Sequence, residues 1–222
     1  MENVIVVAPH PDDETLGCGG TLLKHKKKGD NIYWLIMTGM PSKVEYSAER
    51  IRTRQREIGA VKAAYGFKET FTLDLPATKL DTISKSEAVK LVSDIINKVK
   101  PSYVYLPYKN DIHSDHRLTF DTVLSSAKTF RAPSIKKMFM YEVISETEFS
   151  PPLKDSVFIP NSFSDITAQI DGKIKIMKIY KGEMDAHPFP RSAKNIKALA
   201  TFRGATAGVK YAEAFMVLKE VW

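Results

Sequence analysis

With 222 residues, 43% of them hydrophobic, the chain can bury the core of one α/β domain and is only marginally long enough for two, so we expect a single domain over residues 1–222. Its formal charge of +7 comes from basic residues spread along the chain, and no nucleic-acid-binding module is recognisable, which argues against a nucleic acid partner. The apolar runs are too short to span a bilayer, the first residues lack the basic start of a signal peptide, and Cys18 is the only cysteine. These features predict a cytoplasmic protein.

Strand and helix patterns alternate along the chain. Val4 to Ala8 is a continuous apolar, β-branched run, which is typical of a strand buried on both faces of a parallel sheet. Patterns of this kind predict strands over residues 4–8, 32–38, 70–75, 103–106 and 137–143, and helices over residues 14–28, 47–65, 84–100, 115–130, 170–180 and 193–202. The alternation predicts an α/β fold, a Rossmann-like, mostly parallel sheet with helices on both faces, and residues 145–160 are predicted to form a surface loop.

Two polar clusters each follow a predicted strand. Residues 9–14 read Pro-His-Pro-Asp-Asp-Glu and precede the first helix, while residues 111–116 read Asp-Ile-His-Ser-Asp-His and open a later helix. Open parallel sheets place their sites at the carboxyl ends of the strands. We therefore expect both clusters to lie at the same rim of the sheet.

The first cluster contains more charge than a helix cap requires. An aspartate is a favoured N-cap, which would explain Asp12 or Asp13 alone. It would not explain His10, two prolines and three consecutive acids, because like charges at this density destabilise the fold unless a cation or a helix terminus offsets them. The segment is therefore interpreted as functional.

The ligand types favour a catalytic metal. His10 and a carboxylate three residues later can face one ion, and an imidazole from the second cluster completes a set of two histidines and one carboxylate. Such a set leaves a position open for water on zinc, and Fe²⁺ accepts the same ligands. Because adjacent residues on a turn point in different directions, a neighbouring carboxylate that is not a ligand can accept the proton of that water.

The second cluster offers two histidines, His113 and His116, with Asp115 between them. Histidines at helix starts are common surface residues, so this spacing alone is weak support for a site. Next to the first cluster, one histidine can bind the metal. The other, held and charged by Asp115, can stabilise an oxyanion or protonate a leaving amine.

At these residues the sequence resembles the LmbE/PIG-L family of zinc-dependent N-deacetylases. The family's His-Pro-Asp-Asp-Glu signature stands as residues 10–14, and its His-x-Asp-His signature stands as residues 113–116. The resemblance implies removal of N-acetyl groups from N-acetylglucosamine-type sugars or their conjugates. It implies the following roles: zinc ligands His10, Asp13 and His116, general base Asp12, and His113 as the electrostatic or acid group, oriented by Asp115.

Five further residues are candidate substrate contacts. Arg54 lies on a helix that approaches the rim, although an ion pair with Glu57 would explain it equally well. Four residues near the end of the chain match motifs of a subset of the family and could line a sugar pocket: Arg191, Arg203, Tyr211 and Glu213. Arginine and tyrosine are also common at subunit contacts, so a homo-oligomer is a further possibility.

Three other functions remain open at this point. A related amidase would cleave a larger acyl or thiol-conjugate amide and would differ from a deacetylase in acyl-group specificity. An iron(II) oxygenase could use the same ligands, although such enzymes are typically β-sandwich proteins. A non-catalytic sugar-binding protein would gain nothing from Asp12.

Overall fold

The computed structural model describes residues 1–40 and 46–222. In that part of the chain, seven strands form one sheet. Numbered in chain order, they are β1 (Asn3–Ala8), β2 (Asn31–Gly39), β3 (Glu69–Pro76), β4 (Tyr103–Pro107), β5 (Lys137–Tyr141), β6 (Ser162–Asp165) and β7 (Ala212–Glu220). The α-helices are α1 (Asp13–Lys28), α2 (Ala48–Tyr65), α3 (Lys85–Val99), α4 (Ser114–Ser126), α5 (Ile170–Met177) and α6 (Ala193–Ala207).

The sheet order is β3-β2-β1-β4-β5-β7-β6, with β3 to β5 parallel and β7 and β6 antiparallel. After β1 the chain adds β2 and β3 on one side of it. The chain then crosses over and adds β4 and β5 on the other side. The strand order therefore reverses between β1 and β4, and ligands bind in the crevice outside the carboxyl ends of strands at such a point. This confirms the α/β class and the mostly parallel sheet predicted from the sequence.

Both faces of the sheet are covered by helices. Alternate residues of β1 point to opposite faces: Val4 and Val6 pack in the core beneath α1, α2 and α5, while Ile5 and Val7 pack beneath α3 and α4. This two-sided burial explains the continuous apolar run of β1. None of the helices in the described part of the chain is long and apolar enough to cross a bilayer.

Helix α1 is interrupted, although the sequence predicts one continuous helix there. Cys18 has non-helical dihedral angles (φ −141°, ψ 24°), so two helical segments meet at this residue. Gly17 lies against the ring of Tyr141, and a Cβ atom at position 17 would overlap that ring. The glycines therefore allow α1 to approach the sheet closely, while the break leaves backbone N–H groups that need partners.

Strands β6 and β7 are absent from the sequence-based prediction. β6 has only four residues, Ser-Phe-Ser-Asp, and lies at the edge of the sheet, where one side is solvated. In β7 the acidic Glu213 is buried, which breaks the alternation of apolar and polar residues. Helix α4 also ends at Ser126 rather than residue 130, and α6 continues to Ala207, where the left-handed Gly208 caps it.

Candidate metal and catalytic site

The turn after β1 is held by its own side chains. The Asp13 carboxylate accepts a hydrogen bond from the His10 backbone N–H (2.8 Å), and the Asp12 carbonyl accepts the first helical bond of α1, from Leu16. Asp12 has a φ of 142°, which is rare for a residue other than glycine. Strained backbone of this kind concentrates at functional sites, because the surrounding structure must hold it in place.

Three side chains from the two polar clusters converge at the β1–β4 switch point. Asp13 Oδ2 lies 3.4 Å from His10 Nδ1 and 3.3 Å from His116 Nε2. Around a tetrahedral zinc with bonds of ~2.1 Å, neighbouring ligand atoms lie roughly 3.4 Å apart. The spacing of His10, Asp13 and His116 therefore fits a divalent metal ion.

Buried negative charge also suits a cation here. Asp13, Asp111 and Asp115 are each at most 3% exposed, and they surround the imidazoles of His10 and His116. Buried carboxylates are costly unless they are paired or coordinate a metal. A divalent ion between these groups would offset their charge.

Each candidate histidine ligand is oriented by a second carboxylate. His10 Nε2 lies 3.0 Å from Asp115 Oδ2, and His116 Nδ1 lies 2.8 Å from Asp111 Oδ2. Asp111 also accepts a hydrogen bond from the Thr147 hydroxyl (2.6 Å). Such carboxylate–histidine pairs place the proton on the outer ring nitrogen and leave the lone pair of the inner nitrogen free for a metal.

These pairs lead to a prediction about metal affinity. Replacing Asp111 or Asp115 by asparagine removes the charge behind a histidine ligand, so we expect Zn²⁺ affinity to fall by about 10–100-fold. Competition with a chromophoric chelator measures the effect. Asp121→Asn is the matched control, because Asp121 is an exposed aspartate on α4, the helix that also carries Asp115. Equal Zn²⁺ affinity in Asp111→Asn and Asp121→Asn would contradict the assignment.

The expected partnership of Asp115 with His113 needs correction. The Asp115 carboxylate accepts from His10 and from the Thr78 backbone N–H (2.7 Å), and only the Asp115 backbone N–H contacts His113, at Nδ1 (3.1 Å). His113 thereby caps helix α4. Since Nδ1 accepts a hydrogen bond, the proton of the neutral ring resides on Nε2.

The surroundings of His113 do not support the positive charge expected on it. Burial, together with the neighbouring rings of His10 and His116, lowers the pKa of His113 to about 4. The His113 ring centroid lies 4.6 Å from that of His10. This direction favours a neutral His113 that donates from Nε2 over the cation expected from the sequence.

Asp12 lies beside the candidate metal ligands with its carboxylate unpaired. The residue is 6% exposed, and its carboxylate accepts no hydrogen bond from residues 1–40 or 46–222. Burial, followed by the charges of Asp13 and Glu183, raises the pKa of Asp12 well above its ordinary value, while Arg191 opposes the shift. A buried carboxyl with a raised pKa beside a candidate metal centre has the properties of a proton acceptor.

Glu14 holds the backbone of this turn through hydrogen bonds. Its fully buried carboxylate accepts hydrogen bonds from the hydroxyls of Thr15 and Tyr180 and from the Asp12 backbone N–H (3.1 Å). Burial raises the pKa of Glu14 to about 7. Because Glu14 binds the Asp12 backbone, it fixes the unusual conformation that presents the Asp12 side chain.

A cavity of about 360 Å³ opens next to these residues. His10, Asp12 and His113 line it, and so do the predicted substrate contacts Arg54 and Arg191. This volume lies within the usual range for small-molecule sites. The structure therefore brings two of the five predicted substrate contacts to the cavity that the candidate metal ligands His10 and Asp13 also line.

Both arginines are bound to Glu183, which the sequence analysis missed. Arg54 donates to Glu183 Oε1 (2.5 Å), and Arg191 donates to Oε2 (3.2 Å). Arg54 also donates to the Pro11 carbonyl (3.0 Å) and lies 3.4 Å from Glu57, so the ion pair considered from the sequence exists as well. No motif marks Glu183, because it belongs to an irregular segment between α5 and α6.

The other three predicted substrate contacts lie elsewhere. None of Arg203, Tyr211 and Glu213 is among the described residues that line the cavity at His10. Arg203 forms a two-point ion pair with Glu142 (2.8 and 2.6 Å), and Tyr211 packs beneath the Lys197 ammonium. Their prediction as sugar contacts is thus not supported by their positions.

Glu213 instead binds the break in α1. Its carboxylate accepts from the backbone N–H groups of Gly20 and Thr21 (both 2.8 Å) and from Lys173 Nζ (2.7 Å). Lys173 donates in turn to the carbonyl of Leu16, on the other side of the break. The buried pair therefore joins the two segments of α1, the helix that follows the turn carrying His10 and Asp12.

Known proteins resemble this chain over most of its length. Diacetylchitobiose deacetylase of Thermococcus kodakarensis is 23% identical over 226 residues, which cover 96% of this chain and 82% of that protein. The probable N-acetyl-alpha-D-glucosaminyl L-malate deacetylase 2 of Bacillus anthracis is 24% identical over 183 residues, covering 75% and 79%. A conserved protein of Thermus thermophilus has a crystal structure that matches with a TM-score of 0.79 and 27% identity, over 100% of this chain and 97% of that one.

A family model described as PIG-L, GlcNAc-PI de-N-acetylase, matches residues 5–127. This range includes both polar clusters and every candidate metal ligand. It also spans more than half of the 222 residues. The chain therefore belongs to the PIG-L family.

Proposed function

We propose that the protein is a metal-dependent hydrolase that removes the N-acetyl group from an N-acetylglucosamine-type amino sugar or its conjugate. The observation that carries the proposal is the spacing of His10, Asp13 and His116. Asp12 lines the same cavity as His10 and Asp13, and its carboxylate accepts no hydrogen bond from residues 1–40 and 46–222. The family and the two deacetylases that resemble the chain supply the substrate class. We propose Zn²⁺ as the metal, with Fe²⁺ as the alternative that the same ligands accept.

A divalent ion at these ligands would polarise the amide carbonyl and make a bound water more acidic. Asp12 accepts a proton from the attacking water, whose oxygen forms the new bond to the carbonyl carbon. His113, protonated at Nε2, donates a hydrogen bond to the oxyanion that develops there. Asp12 then delivers its proton to the nitrogen as the C–N bond breaks, which releases acetate and the free amine.

Two arginines at the cavity orient the substrate. Arg54 and Arg191 are both held by Glu183 at the cavity wall, so their positions are set before a ligand enters. Preorganised donors of this kind orient sugar hydroxyl groups at little cost in conformational entropy. The small-molecule partner is thus an N-acetylated sugar, whereas a homo-oligomer and a cytoplasmic location stay predictions from the sequence.

Acetate release tests the proposal. We expect Zn²⁺- or Fe²⁺-loaded protein to release acetate from N-acetylglucosamine, N,N′-diacetylchitobiose or an N-acetylglucosaminyl conjugate, and chelation of the metal to abolish the release. Oxygen uptake is measured in parallel. Loaded protein that yields no acetate would contradict the deacetylase assignment. Release of a longer acyl group would then support an amidase, and oxygen consumption an oxygenase.

A further inference from the structure

The end of the protein opposite the candidate metal ligands carries its surplus of positive charge. Since each connecting helix runs back along the parallel strands, the last turns of α1 to α4 and the starts of β1 to β5 lie at this end, next to the end of the antiparallel β7. We call it the basal face, which comprises residues 1–3, 25–32, 62–69, 97–104, 127–138 and 219–222. These residues include twelve lysines and arginines and four acids, a surplus of eight, whereas the whole chain has a formal charge of +7. The rest of the chain is therefore nearly neutral.

Most cations of the basal face have no counter-charge. Ten of the twelve are exposed, and the pairs with a carboxylate are Lys28–Asp30, Lys98–Glu69 and Lys137–Glu220. The other nine form no ion pair with any of residues 1–40 and 46–222. Lysines in a last helical turn complement the helix dipole, but Arg131 and Lys136 lie beyond the end of α4, in the connection to β5. Helix termini therefore do not explain all of this charge.

The same face exposes large apolar side chains. Met1, Phe130 and Trp222 are 90%, 79% and 101% exposed, the highest values for large hydrophobic side chains among the described residues. The Arg131 guanidinium carbon lies 5.5 Å from the centroid of the Phe130 ring, and Lys137 Nζ lies 5.3 Å from that of the Trp222 ring. Phe130 does not owe its exposure to a chain end, because it belongs to the connection between α4 and β5. The basal face therefore combines exposed aromatic rings with neighbouring cations.

This combination favours a phospholipid surface over other anionic partners. Anionic headgroups attract lysine and arginine at many positions at once, without demanding one fixed geometry. Aromatic side chains gain free energy at the boundary between headgroups and acyl chains, where the apolar ring leaves water. A nucleic acid attracts the same cations, but stacking on its bases uses aromatic side chains within a charged groove. Phe130 and Trp222 are too exposed to line such a groove.

From these observations we infer that the basal face binds the surface of an anionic phospholipid bilayer, with its cations at the headgroups and with Phe130 and Trp222 inserted between them. The candidate metal ligands follow the carboxyl ends of β1 and β4, at the opposite end of the sheet. The cavity at His10 therefore faces away from the bilayer and stays open to water. The inference is independent of the proposed function, because it uses none of the residues that line this cavity.

Sedimentation with vesicles tests the role of the charge. The vesicles contain phosphatidylserine and phosphatidylcholine in equal amounts, with pure phosphatidylcholine as the reference. We expect the full chain to bind the anionic vesicles at physiological ionic strength and to be released as the salt concentration rises. Each cation near such a surface contributes a factor of about five, so the partition coefficient should fall by about 100-fold in the triple variant Lys128→Gln, Arg131→Gln and Lys136→Gln. The control removes the same charge at the opposite end, where binding should change by less than about twofold, through glutamine at the exposed positions Lys85, Lys109 and Lys154.

Phe130→Ala tests the apolar contact, and Phe202→Ala on α6 is the control, because Phe202 is also a well exposed phenylalanine (62%). We expect the partition coefficient to fall by about tenfold in Phe130→Ala and to stay within about twofold in Phe202→Ala. All these substitutions are at exposed positions, so every variant should keep the wild-type Tm. Absent binding to the anionic vesicles, equal losses in the two triple variants, or equal losses in the two phenylalanine variants would each overturn the inference. Binding to duplex DNA without binding to the vesicles would overturn it in favour of a nucleic acid.

Discussion

Replacing Asp12 by asparagine is expected to lower kcat by about 10²–10⁴-fold while Zn²⁺ affinity is retained. Asparagine cannot accept the proton of the attacking water, yet it tolerates the positive φ of residue 12 better than alanine does. His10, Asp13 and His116 keep their positions, since none of them contacts the Asp12 carboxylate. Acetate-release kinetics and chelator competition on the same preparation measure the two quantities.

The control for this experiment is Asp171→Asn, which removes an exposed carboxylate on α5. Wild-type kcat in Asp12→Asn would refute its role as the base. If kcat and Zn²⁺ affinity fall together in Asp12→Asn, Asp12 is instead a metal ligand. Asp12→Ala serves as a second variant, in which loss of activity combines the missing base with added backbone strain.

Replacing Glu213 by alanine is expected to reduce the free energy of unfolding by about 3–5 kcal/mol, because it leaves the Lys173 ammonium buried without a counter-charge. The N–H groups of Gly20 and Thr21 at the break in α1 would also lose their acceptor. Urea unfolding followed by circular dichroism gives this quantity directly. The effect is large because Glu213 is buried and joins three partners.

A double-mutant cycle with Lys173→Met shows whether the pair acts as a unit. We expect the double variant to be more stable than the sum of the two single changes predicts, since removal of both charges avoids a lone buried ion. The exposed pair Lys90 and Asp94 is the comparison, and Asp94→Ala should cause a much smaller loss. A loss below about 1 kcal/mol for Glu213→Ala would contradict the structural role.

The candidate metal centre depends on two segments that are distant in the sequence. The candidate histidine ligands lie 106 residues apart, on segments that follow β1 and β4, and the adjacency of these strands brings them together. Their supporting carboxylates, Asp111 and Asp115, both come from the second segment. The segment after β4, which includes the first turn of α4, therefore supplies one candidate ligand and orients both histidines.

Local signals in the sequence were sufficient to predict most of the strands and several helix starts of this protein. A buried parallel strand is apolar along its whole length, and a helix cap such as Ser84 is read from neighbouring residues, so β1 to β5 and the starts of α2, α3 and α6 follow from the sequence. The two clusters could also be placed at one rim, because parallel strands share their carboxyl ends. The convergence of His10, Asp13 and His116 follows from that rule.

Tertiary structure alone decided which distant groups meet. The Asp115 carboxylate binds His10, 105 residues away, instead of its neighbour His113, and no local pattern specifies this choice. Glu183 and Glu213 acquired their roles in the same way, through packing of an irregular segment and of an antiparallel strand against α1 and α2. Sequence periodicity reports which face of an element is buried, whereas the partner of a buried charge depends on how separate elements pack, and only the folded structure determines it.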